Sequence, residues 1–388
     1  MMRMKDYPDA HFALAADIDM EGTLWIPIPM NTSFDGKSHT LYNLTISPYI
    51  TSDQIGLFSS ISEDGVVKNL TMHGPKINFP NKSKIGAIAG ACAGTITNCH
   101  VVLTSASAIV GDEYVGGLVG FANGGKYANV GAIISSCTVS STISSATIIG
   151  NDLVGGAIGE LSYNCANTIS DVHVSASIAG SNEVGGIVGR IHKQRAEQVS
   201  FEGTITALTT NGKEFGGLLG AELDGHLSSS KANAVIELMG TTNYVGGLVG
   251  YANGTILNSY TYDNRFNLNA NSKGAGAIAG YSPSNYSLTV ANCYTYNSEN
   301  SNLLYALAPS IKNASVSNFF YNQGTLYNTS NSSNVTKNNV FKYDASFQVN
   351  DTPIITSMND WTKNEGKNTY PDFTFNTWAI KSGRPTFE

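Results

Sequence analysis

Apolar and small residues return along this chain in one short phrase, clearest as Val115–Gly120 (VGGLVG). It recurs at Val154–Gly159 (VGGAIG), Val184–Gly189 (VGGIVG), Phe215–Gly220 (FGGLLG) and Val245–Gly250 (VGGLVG). Weaker copies stand at Ile55–Ser60, Ile85–Gly90 and Ala275–Gly280, with a worn one at Tyr305–Ser310. Between the last residues of successive copies the steps are 30, 30, 39, 30, 31, 30, 30 and 30 residues. The long step holds Gly124–Val130 (GGKYANV), which reads as a loop insertion. A fixed period of this size is the mark of a repeat architecture, in which each unit buries its apolar face against its neighbours.

A second phrase follows each hexad, as in Thr95-Ile96-Thr97-Asn98-Cys99, Ile134-Ser135-Ser136-Cys137 and Val290-Ala291-Asn292-Cys293. These runs are short, rich in β-branched residues and bounded by Gly, Asn or Ser, so they predict strands. Two or three such strands per unit leave no room for an ordinary helix. The pattern predicts an all-β, right-handed parallel β-helix of about eight to nine rungs, one per unit. At a rung spacing of about 4.8 Å the rod would be about 40 Å long. Residues 1–54 then form an N-terminal cap and first rung, and 55–321 the repeats. Residues 322–388 form an Asn/Ser-rich linker with a C-terminal cap that covers the open end.

If Cys99, Val172 and Cys293 face inward, the residue after each faces outward. That column reads Thr71, His100, Thr138, His173, Glu202, Tyr260, Tyr294 and Phe320, with Tyr262 and Tyr296 two residues further on. It turns from polar to aromatic over the last three rungs. Tyr260, Tyr262, Tyr294, Tyr296 and Phe320 are therefore the candidate ligand-binding residues, since flat ring ladders stack on sugar faces. Ahead of ligand binding stands the reading that the same rings receive the cap, as the nearest apolar face it can pack on, through Trp361, Phe373 and Trp378.

Composition narrows the function classes. Only 13% of residues are charged and the net charge is −7, which disfavours nucleic acid as a partner, because that needs a clustered basic surface. No stretch approaches the roughly 20 apolar residues of a membrane helix. The N-terminal residues have no apolar core, so either an export signal has been removed or this is part of a longer protein. Eleven Asn-X-Ser/Thr sequons occur, as an Asn-rich composition would give by chance.

The search for chemistry returns mostly negatives. There is no HExxH, no Gly-x-Ser-x-Gly elbow and no helix after any glycine phrase to hold a phosphate. The five cysteines, Cys92, Cys99, Cys137, Cys165 and Cys293, lack CxxC spacing, so no metal and no cofactor is expected. They read as small buried apolar residues, with a Cys99–Cys137 disulfide between adjacent rungs as the alternative. Asp17 and Asp19 read as turn-bonding carboxylates, or else a calcium pair. Arg190, His192, Lys193 and Arg195 form the one basic run, either a solvated connection or a contact for anionic glycan.

Asp17-Ile18-Asp19, Trp25-Ile26-Pro27, Phe34-Asp35-Gly36, Gly56-Leu57-Phe58 and the recurrent Gly-Gly-Leu-Val-Gly together resemble the GLUG-repeat bacterial surface proteins. The C-terminal Trp378-Ala379-Ile380 and Gly383-Arg384-Pro385-Thr386-Phe387 resemble the segment that closes such domains. The repeat also occurs upstream of the protease in IgA-specific metallopeptidases. Pro29 departs from the family's usual Gly, and a leader helix before Asp17 is missing. The resemblance implies export and a β-solenoid but supplies no mechanism. The expectation is a non-enzymatic, extracellular or cell-surface adhesin or stalk that touches glycans or host-surface proteins. A carbohydrate-active enzyme on the same scaffold, or a spacer of a larger protease, are the rivals.

Overall fold

The computed structural model describes all residues except 1–2, 106, 125–130, 163–165, 242, 269–273 and 299–303. Most of the insertion read at Gly124–Val130, and Cys165, thus lie outside the described residues. The chain is a parallel β-solenoid of about nine turns with three long sheets, one of 23 strands and two of nine. Each unit crosses all three. The start of a hexad (Glu113–Gly116) lies in one nine-stranded sheet and its end (Val119–Ala122) in the other. The second phrase (Ile133–Ser141) lies in the large sheet.

One unit is one rung. The second residue of the hexad is paired in register from rung to rung, Gly86 with Gly116, then Gly155, Gly185, Gly216, Gly246 and Gly276. The last residue stacks too, and neither it nor the third residue of the hexad has space for a side chain. A Cβ on Gly159 would sit 2.4 Å from the Gly120 carbonyl oxygen, and one on Gly217 would sit 2.0 Å from that of Gly247. These glycines let neighbouring backbones approach.

The second phrase contains a corner. Asn69, Asn98, Ser136, Asp171, Gln198, Ser229, Asn258, Asn292, Asn318 and Asn339 all take a left-handed backbone, φ between 46° and 55°. Asn and Asp tolerate this region better than other side-chain-bearing residues. The corner explains why Ile96 and Cys99, three apart, are both fully buried, which unbroken alternation would forbid. Asparagine amides run up the corner as a ladder, Asn292 donating to Asn258 (2.7 Å) and Asn318 to Asn292 (2.6 Å). Inside, one apolar core extends from Met4 to Phe319.

Two expectations need correction at the C-terminal end. The stretch read as a linker supplies another rung: Thr325–Tyr327 pairs with Leu304–Ala308, and Ser333–Lys342 with Lys312–Tyr321. It escapes the pattern because Lys337 takes the slot held by Val316, Val290 and Ile256 in the rungs before it. Lys337 is exposed there and lies 5.7 Å from the Tyr327 ring. A charge at an inward slot of an open edge strand discourages further pairing. The cap, in turn, does not cover the end of the rod. Residues 343–388 fold back as helix Ile354–Trp361 and the hairpin Trp378–Lys381/Arg384–Phe387 onto the outer face of the large sheet. That face carries the aromatic rings, whereas the last rung presents Ser, Asn and Lys.

Candidate functional site

The outward column follows the sequence pattern with one correction. Register pairs Thr71 with His100, Thr138 and His173 in turn, and His173 then pairs with Ser200, not Glu202. Lys231 is the next member, followed by Tyr260, Tyr294, Phe320 and Phe341. Glu202 sits in the parallel column two residues on, opposite Ser175 and Asn233. The slip arose because Val199 and Phe201 are both buried, and the column took the residue after Phe201 in place of the one after Val199.

The aromatic candidates come together as the column predicts. Tyr260 and Tyr294 stack with centroids 4.9 Å apart, and Tyr262 and Tyr296 with centroids 4.6 Å apart. The two pairs differ in access. Tyr260, Tyr294 and Phe320 are 4%, 0% and 2% exposed, sealed with Tyr343, Phe347, Ile354, Met358 and Trp378 of the cap. The Tyr294 hydroxyl donates to the Pro385 carbonyl (2.5 Å), and the Tyr260 hydroxyl bonds Thr386 (2.7 Å). Burial pushes both phenols up from their ordinary values. These three rings are therefore not a ligand platform. Tyr262 and Tyr296 stay half-exposed at the edge of the cap.

Of the expected cap partners, Trp378 packs on Tyr260 and Tyr294. Its indole N–H donates to Asn258 (2.7 Å). Trp361 lies instead against Leu257 and Ala291, and Phe373 against His226 under the Arg195 guanidinium. The asparagine corner also ties the cap down, Asn292 donating to the Met358 carbonyl (3.1 Å) and Asn318 to that of Ser357 (3.2 Å).

Where the cap stops, a groove of about 460 Å³ opens on the polar half of the same face. Its floor is two columns wide, with Thr138, His173, Ser200 and Lys231 in one and Ser140, Ser175, Glu202 and Asn233 in the other. Tyr262 and Arg384 close the cap side, the guanidinium carbon 4.0 Å from the ring centre. His173 is fixed through Nδ1 to the Ser200 hydroxyl (2.7 Å) and through Nε2 to Asp171 (3.1 Å). Of this lining the sequence supplied Thr138, His173, Glu202, Tyr260 and Tyr262. It missed Lys231, which stands 29 residues before Tyr260, one short of the usual step, and Arg384, which belongs to no repeat.

The other candidates resolve as local structure. Arg190 forms two bonds to Glu183 and lines an acidic hollow with Glu113, Asp152 and Glu214. Burial, then the Glu183 charge, raises the Glu214 carboxyl to about 7. Arg195 pairs with Glu197 (3.7 Å) and Asp372 (3.9 Å). The basic run is thus divided: Arg190 and His192 lie within strand Val188–His192 and Arg195 in Arg195–Glu197, and exposed Lys193 sits in the short connection between them, as expected for that residue. Asp17 accepts from the Thr40 amide (2.9 Å), and Asp19 from Asn43 (2.9 Å) and the Glu21 amide (3.0 Å). Cys92, Cys99, Cys137 and Cys293 are buried free thiols. Among the described residues no group of three His, Cys, Asp or Glu is placed to hold a metal, and no helix is long and apolar enough to cross a membrane.

No family model matches the chain. A 129-residue alignment, 30% of this chain, is 32% identical to Halomucin of Haloquadratum walsbyi. The chain spans about 1% of the length of that relative. A crystal structure from Bacteroides ovatus, provisionally assigned as an immunoglobulin A1 protease, aligns with all of this chain and 89% of its own. Its identity is 17% and its TM-score 0.40, too distant to carry an argument.

Proposed function

We propose that this solenoid is an exported surface segment, a non-enzymatic stalk or adhesin that contacts an extended glycan through the groove beside its cap. The observation that carries the reading is the groove itself. Hydroxyl, amide and imidazole groups line a shallow floor across five rungs, and a half-exposed tyrosine ring closes one end. Tyr262 is stacked on Tyr296 (4.6 Å between centroids) and carries the Arg384 guanidinium 4.0 Å from its ring centre, so it offers a sugar its edge and polar tip. An open, elongated floor suits a polymer better than a small enclosed molecule. The low charge, the GLUG-like phrases and the stretch shared with Halomucin agree with a surface setting.

A glycan array probed with the parent protein and with Tyr262→Ala tests this. Binding by the parent that is lost in the variant, with an unchanged melting temperature and no sugar product released, is the expected result. Release of product by the parent would make it an enzyme and overturn the non-enzymatic reading. Equal binding by both proteins would remove the groove.

A further inference from the structure

We infer that the groove selects an anionic polymer, one whose sugars carry carboxylate or sulfate groups; this rests on the groove being the contact site. Cations are scarce here, 22 Lys and Arg against 29 Asp and Glu, and elsewhere on the molecule several are neutralised in place. Arg190 is bound to Glu183, Arg195 to Glu197 and Asp372, Lys82 to Asp53, and Lys37 and Lys68 to Asp35. Lys231 and Arg384 differ. Among the described residues neither has a carboxylate partner, and both line the same groove.

Their placement is built by two unrelated parts of the chain. Lys231 stands on the floor, opposite Ser200 and Tyr260 in register. Arg384 comes from the cap hairpin, paired with Lys381, and its guanidinium is stacked over Tyr262. One rung and two residues separate Lys231 from Tyr262, roughly 8 Å between backbone positions. A guanidinium parked on a ring loses less freedom on binding and keeps its edge N–H groups for a carboxylate or sulfate. Lys231 adds a second, mobile charge. Among the described lining residues two cations, Lys231 and Arg384, stand against one acid, Glu202, on a protein whose net charge is −7. The floor hydroxyls of Thr138, Ser140 and Ser175 serve as neutral partners for the sugar.

The test uses one backbone with three charge states: dextran, carboxymethyl-dextran and dextran sulfate, titrated against the whole chain at low and high salt. Tighter binding of one or both anionic polymers than of dextran is expected, weakening with salt. Whether the carboxymethyl or the sulfate form binds more tightly identifies the anion. Lys231→Gln and Arg384→Gln should each lower affinity at least about tenfold, the value of one charged hydrogen bond. Lys342→Gln, an exposed lysine of the last rung, should leave affinity unchanged. Equal losses in all three variants would mean diffuse attraction and overturn the inference, as would dextran binding as tightly as the anionic forms. In that last case the groove would remain the contact site. No binding by any of the three would overturn both the inference and the reading beneath it.

Discussion

One outward column of the large sheet has two fates. From Thr71 to Lys231 it is open to solvent, and from Tyr260 to Phe320 it lies under the cap, although the strands pair in the same parallel register throughout. Backbone geometry alone therefore does not decide what the face does. Side chains decide it. Three adjacent rings of one column present more apolar area than water tolerates, each worth about 1.5–3 kcal/mol when fully buried. The helix and hairpin of the cap supply the matching rings and the backbone carbonyls that the tyrosine hydroxyls and corner asparagines require. The polar half recruits nothing and is left as a groove. Its lip is the place where the two halves meet, at Tyr262 and Arg384.

The comparison breaks most visibly at Tyr294. Tyr294→Ala removes a fully buried ring and its bond to Pro385 and should cost about 3–5 kcal/mol. Limited proteolysis should then cut within residues 343–388 while the repeats stay intact; intact cap at parental protease levels would mean that the ring is not its anchor. Gly217→Val attacks the rung spacing that both halves share. Its Cβ would collide with the Gly247 carbonyl, and overpacking of this kind costs about 1–3 kcal/mol. A melting temperature equal to the parent's would contradict close stacking.

The inward columns carry a third test. Glu222 occupies a slot that is Ile191 below and Ala252 above. It is fully buried, and neither carboxyl oxygen has a hydrogen-bond partner. The nearby Thr255 amide donates to Gly225 instead (3.0 Å). Burial holds the carboxyl well above its ordinary value of 4.5. The folded state thus keeps a proton that the unfolded state releases, so stability falls as pH rises past about 4.5. Glu222→Gln should melt higher than the parent at pH 7–8, and the gap should narrow below pH 4.5. A gap independent of pH would show that the carboxyl does not titrate in this way. Thr138→Val, on the open half, is the smallest change. It loses one bond to His100 (2.9 Å) and should shift stability by less than about 1 kcal/mol, read from the same melting curves.

The rung and its register were legible because the hexad glycines recur and have one physical reason to do so. The burial of Ile96 and Cys99 was legible as a phrase, but the left-handed corner that produces it was not. Where two inward residues two apart, Val199 and Phe201, are both buried, the column slipped from Ser200 to Glu202. The final rung was hidden by Lys337, an exception that the open end of the rod permits. Arg384 could not be placed at all, since nothing in a non-repeating segment says which face it will fold against. The candidate rings were found as a set, but their division into sealed and half-exposed members depends on that same placement.

Hydroxyl-radical footprinting of the intact chain, read by mass spectrometry, tests the division of the column directly. Tyr49, which is 86% exposed, sets the rate for a free ring. Protection of Tyr260, Tyr294 and Phe320, with intermediate labelling of Tyr262 and Tyr296, is the predicted result. Labelling of Tyr294 at the rate of Tyr49 would contradict it, because the cap could not then lie on that face.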